Sequence, residues 1–282
     1  MKLNRICFLG TPEFSVPILS MLMQYQNRNQ SQISVITMPD KKQGRKQILK
    51  PSPVKMYALS LNLPVYTPPK TDLSACIDSI NPDLIVVVAY GHIIEKHITD
   101  TYFCINIHTS LLPQYRGASP IHTALLNGDL ITGVSIIRMN ERMDEGDILY
   151  SKQCEIQFQD TLHTLTHRLA TLSAKACESF INDCYLSNAI KQTKQDHQQA
   201  TYTQKITPDV LCLDLESTAS SIHNQVRAFS PKPGAYVVKN NKRVKIIETT
   251  IIENKLHILK VQPEGKAVMA YTAYLQGNEA LI

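Results

Sequence analysis

Leu84-Ile85-Val86-Val87-Val88-Ala89 is an unbroken, largely β-branched apolar run. A strand with one wet face alternates apolar and polar residues, whereas a strand covered on both faces does not. The run therefore predicts an interior strand of a parallel sheet. The flanking sequence agrees. Ile6–Leu9 is a short apolar strand ended by Gly10-Thr11-Pro12, after which Val16, Leu19, Leu22 and Met23 recur at helical spacing. Ile33–Thr37 and Pro64–Tyr66 read as strands, Lys55–Leu61 as a short helix between them, and Thr101–Ile107 as the strand after the central run. Strands alternating with helices imply right-handed crossovers and an α/β fold class with a mostly parallel sheet.

Further on, Ala118–Asn127 reads as a helix with Pro120 in its first turn. Gly133–Met139 and Ile148–Cys154 are strand candidates. Thr161–Leu186 is a long amphipathic helix carrying Leu162, Leu165, Leu169, Leu172 and Ala176 on one side. Ser187–Lys205 is rich in Gln, Lys, Thr and Asp and reads as a linker or extended crossing segment. Beyond it come a helix over Leu215–Ala228 and three strands, Gly234–Lys239, Arg243–Ile252 and Leu256–Val261. The expected organisation is a larger α/β domain at 1–186, a linker at 187–206 and a small β-rich domain at 207–282.

With 43% hydrophobic residues in 282 the chain can build an ordinary core, so wholesale disorder is not expected. No apolar run approaches the ~20 residues of a membrane span. Met1–Arg5 leads directly into a strand rather than a signal-peptide core. A soluble, cytoplasmic monomer is expected. The seven cysteines are scattered with no CxxC pair, so neither a disulfide nor a metal site is expected. Gly10-Thr11-Pro12 lacks the later glycines of a dinucleotide fingerprint. The net charge of +5 permits an anionic partner without requiring one.

The chemistry concentrates in Asn106-Ile107-His108-Thr109-Ser110-Leu111-Leu112-Pro113 and Gln114-Tyr115-Arg116-Gly117. Residues i and i+2 of a strand share a face. Asn106 and His108 can thus aim two donors at one small volume, as a developing oxyanion requires. Asp144, in Arg142-Met143-Asp144-Glu145-Gly146-Asp147, is the candidate proton acceptor. Taken singly, these residues also read as a turn Asn, a strand-end His and a turn Asp.

Together they resemble the formyltransferases that use 10-formyltetrahydrofolate. That resemblance implies a Rossmann-like catalytic domain followed by a small OB-like β-barrel. It implies that Asn106 and His108 stabilise the oxyanion, that Asp144 assists proton transfer, and that Ser110, Leu111, Leu112 and Pro113 line the folate site. It implies no metal. Gly10-Thr11-Pro12-Glu13-Phe14, the basic loop from Asp40 to Lys55 and Val226-Arg227-Ala228-Phe229 with Pro231-x-Pro233-Gly234 are similar to the branch whose acceptor is methionyl initiator tRNA. In that branch the loop contacts the tRNA, which makes Lys41, Lys42, Arg45 and Lys46 candidate contacts. A solvated charge run is the bland alternative. A second basic patch, Lys232, Lys239, Lys242, Arg243 and Lys245, reads almost as well as an exposed edge protected by lysines.

The sequence departs from the family in four places. Lys41 stands where Arg is common, Lys232 where Trp is frequent, and Thr109 where a small residue is usual. Between Val244 and Gln262 the chain lacks roughly two short strands of the barrel. A shortened barrel is therefore expected. Two other readings remain open at this point, a formyltransferase acting on an amino-sugar nucleotide and a non-catalytic RNA-binding descendant.

Overall fold

The computed structural model describes residues 3–44 and 46–282. Its first half contains β1 (Arg5–Gly10), α1 (Val16–Asn29), β2 (Gln32–Ile36), β3 (Lys41–Gln43), β4 (Ile48–Lys50), α2 (Pro53–Ser60), β5 (Val65–Tyr66), α3 (Leu73–Ile80), β6 (Leu84–Val88), α4 (Lys96–Thr101) and β7 (Cys104–His108). Next come α5 (Pro120–Asn127), β8 (Ile131–Arg138), β9 (Ile148–Glu155) and α6 (Leu162–Ser179), which continues as a π-helical turn over Phe180–Tyr185. The C-terminal part holds α7 (Ala219–Phe229), β10 (Tyr236–Lys239), β11 (Lys242–Ile252), β12 (Lys255–Pro263), β13 (Met269–Ala270) and α8 (Tyr271–Leu275).

Seven strands form one sheet in the order β5-β2-β1-β6-β7-β8-β9. The five from β5 to β7 are parallel, and β8 runs antiparallel to β7. No residue of β6 is more than 6% exposed, as a strand covered on both faces requires. The chain moves outward from β1 through β2 to β5, then restarts beside β1 with β6. The β1/β6 boundary is thus the switch point, where open α/β sheets bind ligands beyond the carboxyl ends of their strands. Helices α3 and α4 bury Leu73, Ile77 and Ile98 against this sheet at 0–1% exposure. Neither helix was read from the sequence; α4 has only six residues, under two turns. The strand expected from Thr101 begins only at Cys104, because Thr101 closes α4.

The basic stretch after Asp40, expected as a loop, is instead a hairpin in which β3 pairs antiparallel with β4, Lys41 opposite Lys50. Its sequence does not alternate, which hides the strand period. The Ser52 side chain then accepts the Lys55 N–H at 3.0 Å and, with Pro53 in the first turn, starts α2. Lys55 is an ion-pair partner of Asp40 at 2.7 Å.

Contacts gather the chain into two compact units. The first takes the chain up to Arg116 with Gly133–Cys154 and Arg168–Thr201; the second takes Gly117–Thr132, Glu155–His167 and Tyr202–Ile282. Ser187–Thr201, expected as a linker, is hydrogen-bonded into the first unit. Thr193 and Ile148 exchange both backbone bonds, at 2.8 and 2.9 Å.

In the second unit α7 packs on α5 and on an antiparallel sheet ordered β10-β11-β12-β13. Asn240 and Asn241 (φ +50° and +58°) and Glu253 and Asn254 (φ +50° and +60°) close its two hairpins. Positive φ at both central residues marks type I′ turns, whose twist matches the strands. Among the described residues no pairing joins β10 to β13. The expected shortening thus takes the form of an open sheet. The motif Val226-Arg227-Ala228-Phe229 ends α7, with Val226, Ala228 and Phe229 at 0–1% exposure. Gly128 (φ +71°) ends α5 and leaves space for Asn224 of α7.

Two histidines of this unit are poised against acid. His122 lies with its ring centroid 5.8 Å from that of Phe229, and burial lowers its pKa. His223 stacks on Phe158 at 4.6 Å and is hydrogen-bonded to Thr249 and to the Phe158 carbonyl. Burial lowers its pKa too, aided by Arg227 and opposed by the bond to Phe158. With both native pKa values depressed, the unfolded chain binds more protons once pH falls below about 6.5. Stability is therefore complete above that pH and declines as pH falls towards the native pKa values. Melting curves from pH 7 to 5 should show this fall. A double variant, His122→Gln with His223→Gln, should flatten it; an unchanged slope would refute the assignment. Among the described residues no helix is long and apolar enough to cross a membrane, and no three metal-ligating side chains converge.

Candidate active site at the carboxyl end of β7

Asn106 and His108 lie on one face of β7, while Ile107 between them is 3% exposed and faces the opposite way. Hydrogen bonding to β6 and β8 on either side fixes the strand. Asn106 Nδ2 donates to Asp144 Oδ1 at 3.1 Å. His108 Nδ1 is 3.6 Å from that same oxygen, and the two side chains are 7% and 9% exposed. The three residues singled out in the sequence are thus gathered at one place.

The structure adds where their protons go. His108 Nε2 lies 2.8 Å from the Tyr115 carbonyl oxygen. A carbonyl only accepts, so Nε2 carries a proton and donates it. The two donors expected to converge on an open volume are therefore already engaged, the amide on Asp144 and the imidazole on Tyr115. Buried donors rarely stay unpaired, which explains the difference.

Asp144 has φ +57°, in the left-handed region that Asp tolerates better than most residues. Two residues on, Gly146 passes against the Arg138 backbone so closely that a Cβ would overlap the Arg138 carbonyl oxygen. The adjoining Arg138 N–H donates to the Asp147 carbonyl at 2.9 Å. A second layer lies behind. Gln195 Nε2 donates to the Asp144 and Gly146 carbonyls at 2.8 and 2.7 Å. Arg116, 1% exposed, donates to Gln195 Oε1 and pairs with Glu145 at 3.3 Å. Neither Gln195 nor Arg116 was assigned a role from sequence. Gln195 sits in a Gln-rich tract where no single amide stands out.

Ser110–Pro113 forms a tight turn after β7. The Ser110 hydroxyl donates to the Gln114 carbonyl at 2.6 Å, and Ser135 Oγ bridges the Ser110 carbonyl and the Leu112 N–H. Ser110 and Leu112 are buried, and Leu111 and Pro113 are half-buried. At the switch point, Thr11 directly follows β1 and Tyr90 lies two residues beyond β6. The hydroxyls of both are buried without a hydrogen-bond partner among the described residues. Burial, with Cys76 and Cys7 nearby, pushes the Tyr90 phenol up to about 12. Lys41, Lys42 and Lys46 are exposed on the β3–β4 hairpin, and Arg45 lies outside the described residues.

Residues 4–181 match the family described as Formyl transferase, and residues 205–257 match Formyl transferase, C-terminal domain. A methionyl-tRNA formyltransferase of Bacillus subtilis (strain 168) is 38% identical over 249 residues, spanning 86% of this chain and 77% of the relative. Among solved structures, methionyl-tRNA formyltransferase from Clostridium thermocellum superposes with TM-score 0.62 at 18% identity, over 93% of this chain and 99% of that one. HypX from Aquifex aeolicus in complex with tetrahydrofolic acid superposes with TM-score 0.67 at 15% identity, over 98% of this chain and 47% of that one. At those identities the two superpositions speak for the fold. The family match over more than half the sequence settles membership, and this chain belongs to the formyl transferase family.

Proposed function

We propose that the protein transfers the formyl group of 10-formyltetrahydrofolate to the α-amine of methionyl initiator tRNA, as a monomeric cytoplasmic enzyme. The observation that carries this reading is the Asn106–His108–Asp144 cluster at the carboxyl end of β7, in a chain whose curated relatives are named for this acceptor. An α-amine has a pKa near ~8 and must be neutral to attack. Attack on the formyl carbon breaks the carbonyl π bond and places negative charge on oxygen. The second Asn106 amide proton, and the His108 Nε2–H once it leaves the Tyr115 carbonyl for the stronger, charged acceptor, are the donors for that charge. The Asp144 carboxylate takes the proton that the amine sheds, and collapse of the intermediate returns a proton to the departing nitrogen of the folate.

The structure supplies two supports for the folate donor. One is the half-buried Leu111 and Pro113 of the turn after β7. The other is the unpartnered pair of hydroxyls, Thr11 and Tyr90, at the switch point, where a polar heterocycle could accept or donate hydrogen bonds. The HypX structure with tetrahydrofolic acid supports a folate on this fold. For the acceptor, Lys41, Lys42 and Lys46, and Arg45 from the sequence, are the proposed phosphate contacts.

The test mixes the protein with methionyl initiator tRNA and the folate donor. Formylmethionyl-tRNA is the expected product, and formylation of a nucleotide-linked amino sugar in its place would replace this reading. A Lys41→Ala, Lys42→Ala variant should raise KM for tRNA and reduce the salt dependence of binding by about two phosphate contacts, with kcat preserved. An unaltered salt slope would remove the hairpin from the tRNA interface.

A further inference from the structure

We propose that Gln195 is a positioning residue for Asp144. It acts as an amide clamp that fixes the backbone of the catalytic loop while Asn106 fixes the side chain. The assignment rests on the formyl-transfer reading above and deepens it.

Gln195 is 6% exposed, and its amide is fully used. Nε2 donates both protons, one to the Asp144 carbonyl and one to the Gly146 carbonyl. Oε1 accepts twice from Arg116, at 3.1 Å from Nε and 2.8 Å from Nη2. A flipped amide would set oxygen against two carbonyls and NH2 against a guanidinium, so the chemistry of its neighbours dictates the orientation. No other side chain of this shape has both a double donor and a double acceptor. Glutamate lacks the donors, and methionine lacks both.

The loop needs such a clamp. Asp144 holds a left-handed backbone conformation that no regular element supports. Its carboxylate stands 3.6 Å from His108 Nδ1, and a displacement of one ångström would change that relation. The same stretch of chain also secures the other side of His108. Thr201 accepts from the Tyr115 N–H through its hydroxyl at 2.8 Å and from the Arg116 N–H through its carbonyl at 2.9 Å. That sets the Tyr115 carbonyl against His108 Nε2. His197 Nδ1, 3.3 Å from the Arg116 guanidinium, and Glu145 complete the hold on Arg116. Gln195–Thr201 therefore frames the imidazole from both of its nitrogens. Arg116 and Gln195 do not face the reacting atoms; they determine where Asp144 does.

The experiment is a double-mutant cycle on the full-length protein. Gln195→Glu keeps the acceptor for Arg116 and turns two donors into repulsion against two carbonyls. Gln195→Met removes the hydrogen bonds without adding charge. Each should lower kcat about 10- to 100-fold, the scale of an ångström's misplacement. KM for tRNA and for the folate donor should stay within about twofold. In an Asp144→Asn background the same substitutions should cost less than about twofold more, because the group they position is gone. A purely structural role would multiply the two losses. If Gln195→Glu does not fold, Gln195→Met is read through the same cycle. An active wild type with unchanged kcat in the variants, or with fully multiplicative losses, overturns the assignment alone. A wild type that transfers no formyl group overturns the functional reading and this assignment with it.

Discussion

His108→Ala should lower kcat for formyl transfer by about 10²- to 10³-fold, or roughly 3–4 kcal/mol of barrier. The imidazole is the more buried of the two donor side chains at the carboxyl end of β7, and its Nε2–H is held by the Tyr115 carbonyl until charge appears. Exchanging that neutral acceptor for the developing oxyanion is a gain made only as charge builds, which is why its loss falls on the transition state. KM for the folate donor should change little, since the ground-state formyl oxygen carries little charge. The substitution also leaves the Asp144 carboxylate without the ring at 3.6 Å. Restoring proton acceptance from solution therefore should not rescue the rate. Steady-state kinetics with saturating tRNA decide the matter, and a kcat within tenfold of wild type would exclude His108 as the principal donor.

Gly146→Ala should be the most damaging single methyl group in the first unit. A Cβ at this position overlaps the Arg138 carbonyl oxygen. That backbone cannot yield without breaking the Arg138–Asp147 hydrogen bond. Overpacking of this kind costs about 1–3 kcal/mol of stability. The strain also has a direction. Gly146 is two residues from Asp144, and Gln195 ties its carbonyl to that of Asp144. Relief by moving the loop carries the carboxylate away from His108, so kcat should fall about 10²-fold as well. Thermal melting and turnover measured together test both halves. A variant with the wild-type melting temperature and rate would mean that the loop relaxes freely.

Much of this architecture was legible because burial leaves a pattern in the sequence: an unbroken apolar run in β6, which is covered on both faces, and a helical period along the long α6. The misses have separate origins. α4, at six residues, is too short to show a helical period. The β3–β4 hairpin sets two lysines in succession on β3 and two apolar residues in succession on β4, so alternation never appears. Ser187–Thr201 has polar side chains but a structured backbone, and hydrogen bonds made by a main chain leave no mark on composition. For the site, residue types and spacing identified Asn106, His108 and Asp144 as candidates. The left-handed turn at Asp144 was not visible, nor was the amide that supports it, because both depend on residues distant in sequence.

The way the two compact units share the chain bears on how the protein is made. α5 leaves the ribosome early, yet its partner α7, whose Phe229 ring meets His122, follows roughly a hundred residues later, a loop closure of the slow, long-range kind. Until then α5, which carries the fully buried Ala124 and Leu125, is without the helix it packs on in the finished protein. A nascent chain paused near Leu186 would hold most of the parallel sheet, an α5 still without α7 and an Asp144 loop not yet tied down by Gln195. It would be shaped like a catalyst before it could work as one, and exposed to chaperones and proteases for as long as the pause lasts.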